Sequence, residues 1–209
     1  MTGTVLVADD HPLFRQALRL AVEKILPEAA IAEAGTLATA VAAATAAPDL
    51  RLILLDLKMP GATGYSGIAL LHAECPGVPI LVVSSAEGAA AADEARAFGA
   101  IGFLHKGSDL GAIEAAVAAA IGRRPAPRSP APDSATEEIR ETVASLTPTQ
   151  LKVLLAVLDG QLNKQIAHNL GISEATVKAH MTAIMRKLDV RNRTQAALVA
   201  RSLGLDLGH

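Results

Sequence analysis

The chain of 209 residues has one cysteine, no tryptophan, one tyrosine and three phenylalanines. A lone Cys75 cannot close an internal disulfide, which excludes a disulfide-stapled scaffold and points to a reducing compartment, the cytoplasm. Aromatics make up 2% and hydrophobic residues 51%, so the cores must be built from Ala, Leu, Val and Ile. A strongly apolar run of the roughly 18 residues that a membrane-spanning helix needs is missing. The Ala-rich segment 38–47 is broken by threonine and reads as a packed helix. The chain opens on TVLVADD, with acids where an export signal needs apolar residues, so no leader is expected.

Charge is low overall, at −2, and unevenly divided. Residues 1–122 carry 7 Lys and Arg against 13 Asp and Glu, giving −6, and residues 123–209 carry 12 against 8, giving +4. An acidic first half and a basic second half fit attraction to a polyanion by the second half alone.

The first 122 residues alternate short aliphatic runs with helical periodicity. Strands are predicted at Thr4–Ala8, Ala30–Glu33, Leu52–Leu55, Pro79–Val83 and Ile101–Leu104. Helices are predicted at Leu13–Leu26, Thr36–Ala47, after Gly67 to Glu74, Ala89–Phe98 and Leu110–Ile121. Five βα units in succession predict a five-stranded parallel sheet with helices on both faces. Residues 123–143 read as a linker: four prolines and no apolar periodicity open it, and an amphipathic turn or two closes it. Residues 144–209 form a second domain. There, Thr147-Pro148-Thr149-Gln150 is a capping box with Pro at the first helical position. A short helix from Asn163 is stopped by Gly171, and Ser173 caps the next helix, which runs to about Leu188. Two helices joined by a glycine turn, the second bearing Lys178, His180, Arg186 and Lys187, predict a helix-turn-helix that reads DNA.

In an open parallel sheet, ligands bind beyond the carboxyl ends of the strands. Those ends here carry Asp9 and Asp10, Asp56, Ser84 and Ser85, and Lys106. Three acids together require a cation, and Mg²⁺ prefers carboxylate oxygens. A metal on Asp10 and Asp56 leaves an Asp56 oxygen as nucleophile for a phosphoryl group, with Lys106 and Ser85 placed to meet its oxygens.

The motifs DDHPLF at 9–14, LDLKMPG at 55–61, SSA at 84–86 and GFLHKG at 102–107 resemble a response-regulator receiver. With LTPTQLKVL, NKQIA, ISEATVKAH and KLDVRNRTQA, the whole chain except the linker resembles the NarL/FixJ/LuxR family of two-component transcription factors. The resemblance implies a flavodoxin-like (CheY-like) α/β receiver followed by a small all-α four-helix domain. It implies that Asp56 is the phosphoacceptor, served by a sensor histidine kinase. Asp9, Asp10, Asp56 and the Lys58 carbonyl are then the Mg²⁺ ligands. Lys106 contacts the phosphoryl group, and Ser85 with Phe103 forms the switch.

For the DNA half, the resemblance places Lys178, Ala179 and Thr182 on bases, and Asn163, Lys164, Thr176, His180 and Arg193 on phosphates. It assigns Ala196, Ala197, Val199 and Ala200 on the last helix to dimerisation. Promoter DNA and a second copy are the implied partners, with RNA polymerase a further candidate. The expected protein is a regulator whose chemistry is limited to accepting and losing its own phosphoryl group. The receiver of the family can cover the recognition helix until activation releases it.

Two departures stand out. The loop Gly61–Gly67 is about three residues longer than the family's common form, and Phe103 lacks a switch hydroxyl. Lys58 and Glu87 sit two residues past Asp56 and Ser85, where they are expected to lengthen the life of an acyl phosphate. Two other classes stay open on the residues alone: an aspartyl-phosphate phosphatase or phosphotransferase, and a constitutive DNA binder with a vestigial receiver.

Overall fold

The computed structural model describes residues 3–62, 64–85, 89–121 and 135–205. The chain divides into two compact units, residues 1–129 and 130–209. Unit one runs β1 (Thr4–Ala8), α1 (Pro12–Ile25), β2 (Ala30–Ala34), α2 (Leu37–Ala46), β3 (Leu50–Leu55), α3 (Ser66–Glu74), β4 (Ile80–Ser84), α4 (Ala89–Ala97), β5 (Gly102–His105) and α5 (Leu110–Ala120).

The five strands form one all-parallel sheet in the order β2-β1-β3-β4-β5. The continuous aliphatic runs are explained by cover on both faces. Val5, Val7, Leu52, Leu54, Leu81 and Val83 face α1 and α5, which contribute Leu18, Val22, Ile113 and Val117. The alternate residues Leu6, Ile53, Leu55, Ile80 and Val82 are fully buried as well. β4 reaches Ser84, one residue beyond the predicted end, because Ser84 pairs in register with His105 of β5.

Backbone hydrogen bonds carry the sheet into the loops beyond it. The Asp9 N–H donates to the Ala34 carbonyl at 3.0 Å, Asp56 N–H to Ala8 at 2.8 Å, and Lys106 N–H to Ser84 at 2.9 Å. Strand register therefore fixes where these three residues emerge. Because β1 lies between β2 and β3, chain connections leave it in opposite directions, and the crevice so formed sits at the carboxyl ends of β1 and β3.

Unit two contains α6 (Ala135–Ala144), α7 (Pro148–Leu158), α8 (Asn163–Leu170), α9 (Glu174–Lys187) and α10 (Arg193–Ser202). The last four are the expected helices. α6 adds a fifth and occupies the end of the range read as linker, where Val143 is buried and helps to close the domain. The rest of that linker, residues 123–134, lies outside the described residues, as does Glu87. The capping box forms as expected: Gln150 N–H donates to Thr147 Oγ1 at 3.3 Å and Thr147 N–H to Gln150 Oε1 at 3.1 Å. α7 packs on α9 and α10, and α8 packs on α9.

Gly171 ends α8 with φ of 64°, the left-handed conformation, and a Cβ there would meet nothing within 4 Å. Gly171→Ala therefore costs only backbone strain, about 1–2 kcal/mol. Thermal unfolding should show that loss in the second unit's transition, with the first unit's unchanged.

Candidate functional site: an acidic pocket and an exposed helix face

At the carboxyl ends of β1 and β3 two carboxylates are held out of water: Asp9 is 0% exposed and Asp56 2%. Burying such ions costs several kcal/mol each unless they are paired. Lys106, brought in by β5, pairs with both. Its Nζ stands 2.6 Å from Asp9 Oδ2 and 2.8 Å from Asp56 Oδ2. Burial pulls the Lys106 ammonium down, but hydrogen bonds and charge from Asp56 and Asp9 outweigh it, so the net shift is upward.

The other carboxylate oxygens are positioned by backbone. His11 N–H donates to Asp9 Oδ1 at 2.8 Å, and Lys58 N–H to Asp56 Oδ1 at 3.2 Å. Asp10 is the more open third acid, with His11 Nδ1 2.6 Å from its Oδ1. One ligand atom each from Asp9, Asp10, His11 and Asp56 falls within 4.8 Å of the others. Asp9 Oδ2 and Asp10 Oδ1 are buried without a hydrogen bond of good geometry, although Lys106 Nζ and His11 Nδ1 respectively lie close by. Hard carboxylate oxygens of this kind suit Mg²⁺, so the residues fit that ion.

In the second unit, Ser173 Oγ caps α9 by accepting the Thr176 N–H at 3.0 Å. Along α9, Val177, Met181, Ile184 and Leu188 are buried, while Lys178, Ala179 and Thr182 are exposed. The core stripe thus turns the other face outward, and α8 with α9 makes the helix-turn-helix.

Residues 5–118 match the family described as response regulator receiver domain, and residues 144–200 match bacterial regulatory proteins, luxR family. The chain is 39% identical over 207 residues to the glycerol metabolism activator of Pseudomonas putida, covering 94% of each. It is 33% identical over 205 residues to the nitrate/nitrite response regulator protein NarP of Escherichia coli strain K12, covering 93% of each. Among solved structures, the signal receiver domain of NarL from Mycobacterium tuberculosis aligns with 32% identity and a TM-score of 0.50. That alignment covers 58% of this chain and 98% of that one.

The chain belongs to the NarL/FixJ/LuxR family of response regulators. It is a phosphorylation-regulated, DNA-binding transcription regulator with a CheY-like receiver and a LuxR-type helix-turn-helix.

Within this response regulator the fold brings Asp9, Asp10, Asp56 and Lys106 together. Ser85 follows the last residue of β4 and is exposed, whereas Ser84 is fully buried. Phe103, on β5, is half-buried. Arg193 has structural partners: it donates to Asn163 Oδ1 at 3.0 Å and to the Gln161 carbonyl, tying α10 to the start of α8. Lys187 donates to the Ser145 carbonyl at 2.9 Å and so caps the end of α6.

The dimerisation set needs correction. Ala196 and Ala200 are 0% exposed and lie on the face of α10 that packs within its own domain. Small residues let α10 approach α7 closely, so these two serve the fold. Ala197 and Val199 are half-buried, and the residue between them, Leu198, is 60% exposed.

Sequence reading also missed three neighbours of the acids. His11 meets Asp9 and Asp10, Arg15 Nη1 donates to the Asp9 carbonyl at 2.6 Å, and the Phe14 ring lies under Lys106. All three sit in or just past the DDHPLF motif, close to the acids in sequence.

The upward shift of Lys106 makes a pH prediction. Its folded-state contribution is complete below the ordinary lysine range and is lost as pH rises through the higher folded value. In metal-free buffer the melting temperature of the wild type should fall more steeply on the alkaline side than that of Lys106→Met. Parallel curves would show that the ammonium is not held as described.

Proposed function

We propose that Asp56 accepts the phosphoryl group, that Asp9, Asp10, Asp56 and the Lys58 carbonyl hold Mg²⁺, and that phosphorylation switches DNA binding by the second domain. The observation carrying this reading is the burial of Asp9 and Asp56 around one lysine at the carboxyl edge of the sheet.

The donor is a phosphohistidine of a sensor kinase. The P–N bond breaks as an Asp56 oxygen forms the P–O bond, and the imidazole leaves. Bound Mg²⁺ supplies positive charge to the transferring phosphoryl oxygens. Lys106 turns its ammonium to one of those oxygens, and the backbone N–H of Lys58 keeps the Asp56 carboxylate in place for in-line attack. The Ser85 hydroxyl moves toward the new group and Phe103 repacks behind it, biasing two pre-existing states. Loss of the phosphoryl group to water is the only turnover required.

On DNA, Lys178 donates to guanine O6 and N7, while Ala179 and Thr182 make apolar contacts. Thr182 Oγ1 donates to the Lys178 carbonyl at 3.0 Å, which commits its hydroxyl proton and leaves the methyl for contact with thymine. Asn163, Lys164, Thr176, His180 and Arg193 serve phosphates. Arg193 has guanidinium donors left after its two internal bonds. Two copies bind inverted half-sites through the exposed side of α10, with Leu198 beside Ala197 and Val199. RNA polymerase is the partner at the promoter. We take the receiver as residues 1–122, the linker as 123–143 with α6 at its end, and the DNA domain as 144–209.

Incubation with radiolabelled acetyl phosphate and Mg²⁺ should label the wild type and leave Asp56→Asn unlabelled; label retained in that variant would place the acceptor elsewhere. Genome-wide mapping of bound DNA with wild type and Asp56→Ala then identifies the sites and tests phosphorylation dependence. At such a site Lys178→Ala should lower affinity about tenfold to a hundredfold and relax one base position. Lys164→Ala should weaken all sequences alike and reduce the salt slope by about 1. The reverse pattern would exchange the two roles.

A further inference from the structure

Lys106 has a third neighbour besides the two carboxylates. Its Nζ lies 4.9 Å from the centroid of the Phe14 ring, within the range at which an ammonium is attracted to the negative face of an aromatic. Phe14 belongs to the first turn of α1 and is partly buried against the sheet core. Its position is tied to the acidic loop, because the His11 carbonyl accepts both the Phe14 N–H at 3.1 Å and the Arg15 N–H at 3.0 Å. The ring therefore moves with the segment that carries Asp9 and Asp10. In a chain with only three phenylalanines, a leucine would fill the same apolar space. A leucine has no ring quadrupole, and a half-dry site magnifies that difference.

We propose that Phe14 is a positioning residue for phosphoryl transfer and that it acts through Lys106. The ring face screens one side of the ammonium from water and holds its N–H groups toward the Asp9 and Asp56 oxygens. It keeps the ammonium at the same height when a phosphoryl group arrives, so Lys106 reaches a phosphoryl oxygen without first shedding a solvent shell. Phe14 touches no reacting atom. The proposal rests on the reading of Asp56 as acceptor, and it adds to that site a residue from the first turn of α1.

The test uses the full chain with Mg²⁺ and acetyl phosphate, whose P–O bond to acetate breaks as the Asp56 acyl phosphate forms. Phe14→Leu should slow labelling by about twofold to thirtyfold, the range a cation–π contact spans, and weaken beryllofluoride binding measured by ¹⁹F NMR to match. Phe14→Tyr should restore both. In a Lys106→Gln background the Leu substitution should cost nothing further. The ε-methylene protons of Lys106 should resonate upfield in the wild type, under the ring current, and return to the ordinary position in Phe14→Leu.

Wild-type labelling by Phe14→Leu would overturn the proposal. So would a loss that persists in full without Lys106, which would mark Phe14 as a packing residue. If Phe14→Leu does not fold, an ordinary Lys106 shift in the wild type overturns it equally. A wild type that takes no label at all counts against the Asp56 assignment; the Lys106 resonance and its dependence on Phe14 then decide the ring contact alone.

Discussion

Two carboxylates share the end of one sheet with almost no water, and a single ammonium makes that tolerable. Asp9 and Asp56 come from adjacent strands whose register leaves no freedom to separate them. Their mutual repulsion in a low-dielectric site is offset by Lys106, which stands within 2.8 Å of both. The pair-plus-cation arrangement is thus a constraint on the whole first unit. β5 must lie where its end delivers Lys106, β4 must separate it from β3, and α1 must return close enough to line the pocket. The same excess of negative charge suits the cluster to the divalent cation proposed for it, whose charge would offset both the carboxylates and an incoming phosphoryl group.

The fold was legible because each element carries its own local reason. Continuous aliphatic runs such as Leu52–Leu55 have only one stable setting, a strand covered on both faces. The capping box at Thr147, the Gly171 stop and the Ser173 cap are chemistry within four residues, so reading them needs no knowledge of the tertiary structure. The acids and Lys106 were legible for a related reason: they sit at strand ends, and a parallel sheet gathers its strand ends on one edge.

What was missed depends on geometry that spacing does not encode. Phe14 and Arg15 look like ordinary first-turn residues of an amphipathic helix. Only the angle of α1 against β1 turns one toward Lys106 and the other toward the Asp9 carbonyl. Ala196 and Ala200 show the opposite error. Small residues at helical spacing serve close packing, but the pattern is the same whether the neighbour is α7 of the same chain or α10 of another. Burial decides it, and both are spent inside the domain. α6 was underread as an amphipathic turn or two, because the proline-rich run before it has no periodicity to extend, although Val143 was there to bury.

In the second unit, internal bonds commit some of the polar groups around the proposed DNA face. Arg193 spends donors on Gln161 and Asn163, Lys187 caps α6, and Thr182 commits its hydroxyl to the Lys178 carbonyl. Each such commitment removes rotamer freedom before DNA arrives, so less entropy is lost on binding. It also narrows what each residue can read. A threonine whose hydroxyl proton is committed keeps a methyl for a thymine methyl and an oxygen that can only accept, so it cannot donate to a purine N7 or O6. Lys178 is the one exposed long donor among the three positions proposed to face bases. On the proposed contacts, discrimination by α9 would centre on the base contact of Lys178, with Ala179 and Thr182 beside it, while phosphate contacts would set the register.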